Sequence, residues 1–99
     1  MNEGERDMKP RKAAYGTKNI CGANIERVRK QKKMKQSVLV SQMQLRGVDI
    51  NPSSMSKLEG QTRIATDIEL KAISEILNVS MDELVKENEQ TGNRDDHIG

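Results

Sequence analysis

The thiol of Cys21 and the imidazole of His97 are the only side chains of their kinds in this 99-residue chain. A nucleophile needs a base within reach, and the usual structural zinc sites need four nitrogen or sulfur ligands. Cys21 shares an apolar helical stripe with Ile25 and Val28, and His97 stands third from the end in a polar stretch. Neither catalysis nor a metal site is expected, and a lone cysteine forms no internal disulfide. Asp67 and Glu69 are a carboxylate pair that could invite an acid–base reading. They lie in Thr66-Asp67-Ile68-Glu69, whose Thr and Glu spacing is that of a capping box. There is no glycine-rich phosphate loop, so no cofactor is expected and the chain does not read as an enzyme.

The elements around these residues are all helical in pattern. Residues 20–85 hold 27 of the 33 apolar residues, which marks one folded body of about 66 residues flanked by polar ends. No run approaches the ~18–20 apolar residues of a membrane span, and the polar start Met1-Asn2-Glu3-Gly4-Glu5 is no secretory signal. A cytoplasmic chain is expected. Its net charge of +2 conceals a gradient: residues 1–36 sum to +7, 37–66 to +1 and 67–99 to −6. That order suits an electrostatic footprint on nucleic acid with the acidic end left to solvent or a partner, or simply two solvated ends.

Along the chain, residues 1–18 contain Gly4, Pro10, Gly16 and the basic cluster Lys9, Arg11 and Lys12, and read as a flexible basic arm. Residues 19–85 form the folded domain. Cys21, Ile25 and Val28 define a first helix from Asn19 to near Lys33, and Lys35-Gln36 opens a second of about ten residues that Gly47 stops. Asn51-Pro52 is an N-cap followed by proline at the first helical position, starting a helix over 52–59. Its apolar face is only Met55 and Leu58, so packing alone does not account for its polar outer face. A fourth helix follows the Thr66 capping box with Leu70, Ile73, Ile76 and Leu77, and stops at Asn78. Ser80-Met81-Asp82-Glu83 repeats the box before Leu84 and Val85. Residues 86–99 read as a flexible acidic tail. The fold class is thus all-α, a compact five-helix bundle without strands.

This ordered set resembles the Cro and phage-repressor (XRE) type of helix-turn-helix domain over about residues 20–85. The likeness rests on Ile25-Glu26-Arg27-Val28-Arg29, Lys35-Gln36 with Leu39 and Met43, Met55-Ser56-Lys57-Leu58-Glu59, Thr66-Asp67-Ile68-Glu69-Leu70 with Ile73, and Leu77-Asn78-Val79-Ser80-Met81-Asp82-Glu83-Leu84. The resemblance implies a lambda-repressor-like bundle whose second and third helices form the helix-turn-helix, with the third presented to the DNA major groove. It implies phosphate contacts from Lys35 and Gln36, base or phosphate contacts from Asn51, Ser53, Ser54 and Lys57, and a backbone grip from Gln61, Thr62 and Arg63. It also implies a structural ion pair of Arg29 with Glu59. The alternative for Gln36 is a plain helix-start residue, and for Ser53 and Ser54 solvated first-turn residues.

The chain departs from the pattern at two places. Eleven residues separate Met43 from Met55, which lengthens the turn, and Pro52 with its serines offers few base-reading groups. Specificity is then expected to lean on phosphate contacts and DNA shape. The implied function is a sequence-specific double-stranded DNA-binding transcriptional regulator, a repressor acting by operator occupancy on the nucleoid. It would act as a homodimer with Ile76, Met81 and Val85 as candidate self-contacts, although Met81 reads more readily as core. The alternative is a protein-binding regulatory module, antitoxin-like or an adaptor, engaging a basic partner through the acidic C-terminal region. Stacking on RNA or single strands is disfavoured, because Tyr15 is the sole aromatic.

Overall fold

A computed structural model of the chain describes residues 14–87. The cluster Lys9, Arg11 and Lys12, His97, and the tail from residue 88 onward lie outside the described residues. Five helices follow in order: α1 (Gly22–Gln31), α2 (Gln36–Leu45), α3 (Pro52–Glu59), α4 (Asp67–Leu77) and α5 (Met81–Val85). No strand occurs among the described residues.

Each helix begins and ends for a local reason. Thr66 and Glu69 exchange both bonds of the capping box at α4, the Thr66 hydroxyl accepting from Glu69 N (3.1 Å) and the Glu69 carboxylate from Thr66 N (3.0 Å). At α5 only half of that box forms: the Ser80 hydroxyl accepts from Glu83 N (3.1 Å), while the Glu83 carboxylate pairs with Lys86 (2.9 Å). The first helix starts later than its periodicity suggests, at Gly22, because Asn19 lies before it and caps it, Oδ1 accepting from Cys21 N (3.0 Å) and Gly22 N (2.8 Å). Helices α1 to α4 end at residues in the left-handed region: Lys33, Gly47, Gln61 and Asn78. At each, the next residue's N–H reaches back to the last turn, as in Met34 N to Arg29 O (3.0 Å) and Thr62 N to Lys57 O (2.9 Å). Only Gly47 adopts that backbone without steric cost.

The core joins Ile25 and Val28 of α1, Leu39, Val40 and Met43 of α2, Met55 and Leu58 of α3, Ile73 and Leu77 of α4, and Leu84 of α5. It contains no aromatic ring. The connection between α2 and α3 runs over residues 46–51, longer than the ~3–4 residues of a tight helix-turn-helix. The extra length is not idle, since Ile50 from this turn is 3% exposed and fills the core, and its carbonyl accepts from Gln44 Nε2 (2.8 Å). Helix α4 packs on α1 and α2, and α5 closes the bundle against α1 and α4.

Two expectations change here. The stretch read as a free arm through residue 18 is fastened at its end, with Gly16 N donating to Gly60 O (2.8 Å) and Lys18 N to Gln61 O (2.8 Å). The glycine is needed there, as a Cβ would stand 2.4 Å from Gln61 O. Met81, read as core, is 38% exposed, whereas Ile76 and Val85 pack partly against the core. α5 is too short to bury both its first and its last apolar residues, and Leu84 takes the inward position.

Candidate nucleic-acid interface

The outer face of α3 is the polar surface left over once its apolar pair is buried. Met55 and Leu58 are both fully buried, which turns Ser53, Ser56 and Lys57 to solvent and leaves Ser54 half-buried. Asn51 starts the helix, its Oδ1 accepting from Ser54 N at 2.8 Å, and Pro52 fits the first turn because it has no N–H to satisfy.

What holds α3 in place is a polar chain that runs from a buried ion pair to the surface. The Arg29 guanidinium donates twice to Glu59, Nε to Oε2 (2.7 Å) and Nη2 to Oε1 (3.1 Å), and its third bond goes to Met34 O (2.8 Å). Both partners are almost completely buried. Gln36 then donates from Nε2 to Glu59 Oε1 (3.0 Å) and accepts at Oε1 from the Ser56 hydroxyl (3.1 Å). Arg29, Glu59, Gln36 and Ser56 thus link α1, α2 and α3 through one connected set of hydrogen bonds. Every buried side-chain polar atom among the described residues has a partner.

Several residues assigned to DNA contact by resemblance are occupied elsewhere. Asn51 is spent as the cap. Gln61 points into its own chain, with Oε1 accepting from Ala23 N (3.0 Å) and Nε2 donating to Asn19 O (2.9 Å) and Gly16 O (3.2 Å). Arg63 grips Glu69 with both terminal nitrogens (3.2 and 2.9 Å) and donates from Nε to Ser54 O (3.1 Å). Its charge therefore braces α3 against α4 instead of facing outward. Gln36 uses its side-chain amide internally as described; α2 can offer a phosphate only its first N–H groups, for its N-cap Lys35 makes no side-chain capping bond. Thr62 is exposed, its hydroxyl donating to Lys57 O (3.2 Å). Lys35 is half-buried, and Lys57 is exposed.

Ser56 belongs with Ser53 and Lys57 and was not among the sequence candidates. The i, i+3 spacing from Ser53 carries the signal that places it there. The electrostatics divide the surface further. Arg27 pairs with Glu83, Lys30 with Glu26, Arg46 and Lys71 with Glu75, Arg63 with Glu69 and Lys86 with Glu83. Glu69 would be raised by burial, but the Arg63 hydrogen bond and the Thr66 N–H outweigh it and hold its carboxyl below the ordinary range. Cys21 is buried in the core, and burial pushes its thiol up to about 11, far from the thiolate needed for reactivity.

An exposed polar helix following a second helix, rigidly joined to it and to α1, is the arrangement of a helix-turn-helix reader. The family model of the Cro/C1-type HTH DNA-binding domain matches residues 24–90, from α1 past the end of α5. The chain belongs to this family and is a DNA-binding regulator of that type. Comparisons with curated proteins and with solved structures give no match. No helix among the described residues is long and apolar enough to cross a membrane.

Proposed function

We propose that this chain is a sequence-specific regulator of transcription that binds double-stranded DNA as a homodimer and represses by occupying its operator. The observation that carries the reading is the outer face of α3. Ser53, Ser56 and Lys57 are exposed and uncovered by the rest of the subunit, although a helix this short and polar contributes little packing of its own. In the proposed complex α3 lies in the major groove. Lys57 supplies the long cationic side chain suited to guanine acceptors or a phosphate, and the hydroxyls of Ser53 and Ser56 reach base edges or phosphates. Ser54 contributes less, being half-covered. Lys35, the first N–H groups of α2 and Thr62 contact the backbone on either side.

One such helix touches too few base pairs to specify a site. Two copies with recognition helices about 34 Å apart on a pseudo-palindrome meet the requirement. Among the candidate self-contacts, Met81 is the best exposed. Selection of bound duplexes from a random pool tests the reading, with a two-fold symmetric site as the expected result. Lys57→Gln should then relax preference at one position of each half-site and cost about 1–3 kcal/mol there. Failure to enrich any duplex at low salt would refute the reading and favour a protein-binding role for the same scaffold.

A further inference from the structure

A second surface carries positive charge without any acid to neutralise it. From Arg27 to Val48 the chain contains no acidic residue. Among the described residues, Lys18, Lys32, Lys33, Lys35 and Lys57 have no ion pair, while the remaining cations each hold a carboxylate. Three of these five free lysines sit within four residues at the corner joining α1 to α2, and a fourth is Lys57 on α3 itself.

The corner is tied to α3 by hydrogen bonds. Met34, which lies between Lys33 and Lys35, bonds Arg29 through its N–H (3.0 Å) and its carbonyl (2.8 Å), and Arg29 in turn holds Glu59 of α3. On the other side of Lys35, Gln36 reaches Ser56 on the outer face of α3. Lys33 also stands in the left-handed region (φ 58°), where glycine is the cheaper residue. Its exposed side chain makes no hydrogen bond or ion pair among the described residues that would offset this cost.

We infer that Lys32 and Lys33 form a backbone-binding flank that engages DNA phosphates beyond the base pairs facing α3, adding affinity without sequence information. This rests on the DNA-binding reading of α3 and extends its footprint along one strand past the Lys35 edge. Phosphate contacts of this kind release counterions, so each steepens the fall of log affinity with log salt by about 0.9.

The test is the salt dependence of binding by Lys32→Gln/Lys33→Asn, asparagine being tolerant of the left-handed backbone at position 33. Anisotropy titrations would use the duplex enriched by the wild-type chain and an unrelated duplex of the same length. The expected result is a slope shallower by about 1.8, with the same fold-loss of affinity on both duplexes and an unchanged base preference. Lys71→Gln, which removes a lysine already paired with Glu75, should leave the slope as it is. A double variant with the wild-type slope overturns the inference. If its melting temperature also falls, the two lysines serve only the C-terminal dipole of α1. If the wild-type chain itself binds neither duplex at low salt, the DNA-binding reading fails first and the flank with it.

Discussion

Gln61 shows most clearly how a polar residue beside a recognition element can belong to the scaffold. It occupies the left-handed position that ends α3 (φ 62°), a conformation in which glycine avoids roughly 1 kcal/mol of strain. Its side chain nevertheless joins three segments, through Ala23 N, Asn19 O and Gly16 O. The hydrogen bonds are worth about 1 kcal/mol each, and their loss would leave partly buried partners unsatisfied. Gln61→Gly should therefore lower stability by about 1–2 kcal/mol net of the relieved strain, read by thermal melting followed by circular dichroism. A higher melting temperature in this variant would reduce Gln61 to an unfavourable helix stop. Sequence position places Gln61 in the loop after α3. It does not reveal the inward turn of the side chain, because all three partners lie at least 38 residues away.

At the scale of elements, the relation of α1 to α3 depends on one close approach and one ion pair. A Cβ at Gly22 would stand 2.3 Å from Leu58 O and 2.6 Å from Glu59 O, so the start of α1 meets the end of α3 with backbone against backbone. Arg29 and Glu59 span the same two helices. A buried pair adds little over an apolar one, yet removing a single partner leaves an uncompensated charge costing about 3–5 kcal/mol. Glu59→Ala should thus lower the melting temperature by more than 10 °C, a shift of roughly that size following from the ~4–8 °C per kcal/mol of a domain this small. It should also free Gln36 and Ser56, so any loss of DNA affinity would accompany unfolding of the α2–α3 edge. A melting temperature unchanged by this substitution would remove the pair as a support of α3. Helix limits near Gln36, Pro52 and Asp67 were readable in the chain because capping residues, proline and the 3.6-residue period act locally. The start of α1 was misplaced by three residues because Asn19 fits a helix by sequence but caps one through its side chain.

At the scale of the whole molecule, the titrating groups bound a pH range of stability. Hydrogen bonds from Arg63, Lys71 and Lys86 hold Glu69, Glu75 and Glu83 below the ordinary carboxylate range, at Glu69 against the opposing effect of burial. Depressed carboxyls favour the fold above their unfolded value of about 4.3, and that contribution disappears as pH falls through their folded values. Cys21 acts in the opposite sense. Its thiol is raised to about 11, so it favours the fold below the unfolded value of about 8.5 and loses this contribution as pH climbs toward 11. Denaturant midpoints measured against pH should show a plateau between these limits, with Cys21→Ala flattening the alkaline side and Glu69→Gln the acid side. A Cys21→Ala profile that still falls above pH ~8.5 would assign that limb to other groups.

The family, the five helices, the core stripes and the polar outer face of α3 were all determined by the order of residues along the chain. They arise from periodicity and capping, which act over a few residues and need no distant partner. Which polar groups stay free on the outer surface was decided only by folding. Gln36, Gln61 and Arg63 are matched to acceptors or donors inside the subunit, whereas Lys32, Lys33 and Lys57 are left with outward surface. A side chain's availability depends on every neighbour that tertiary contact brings within hydrogen-bonding distance, and those neighbours are mostly remote in sequence.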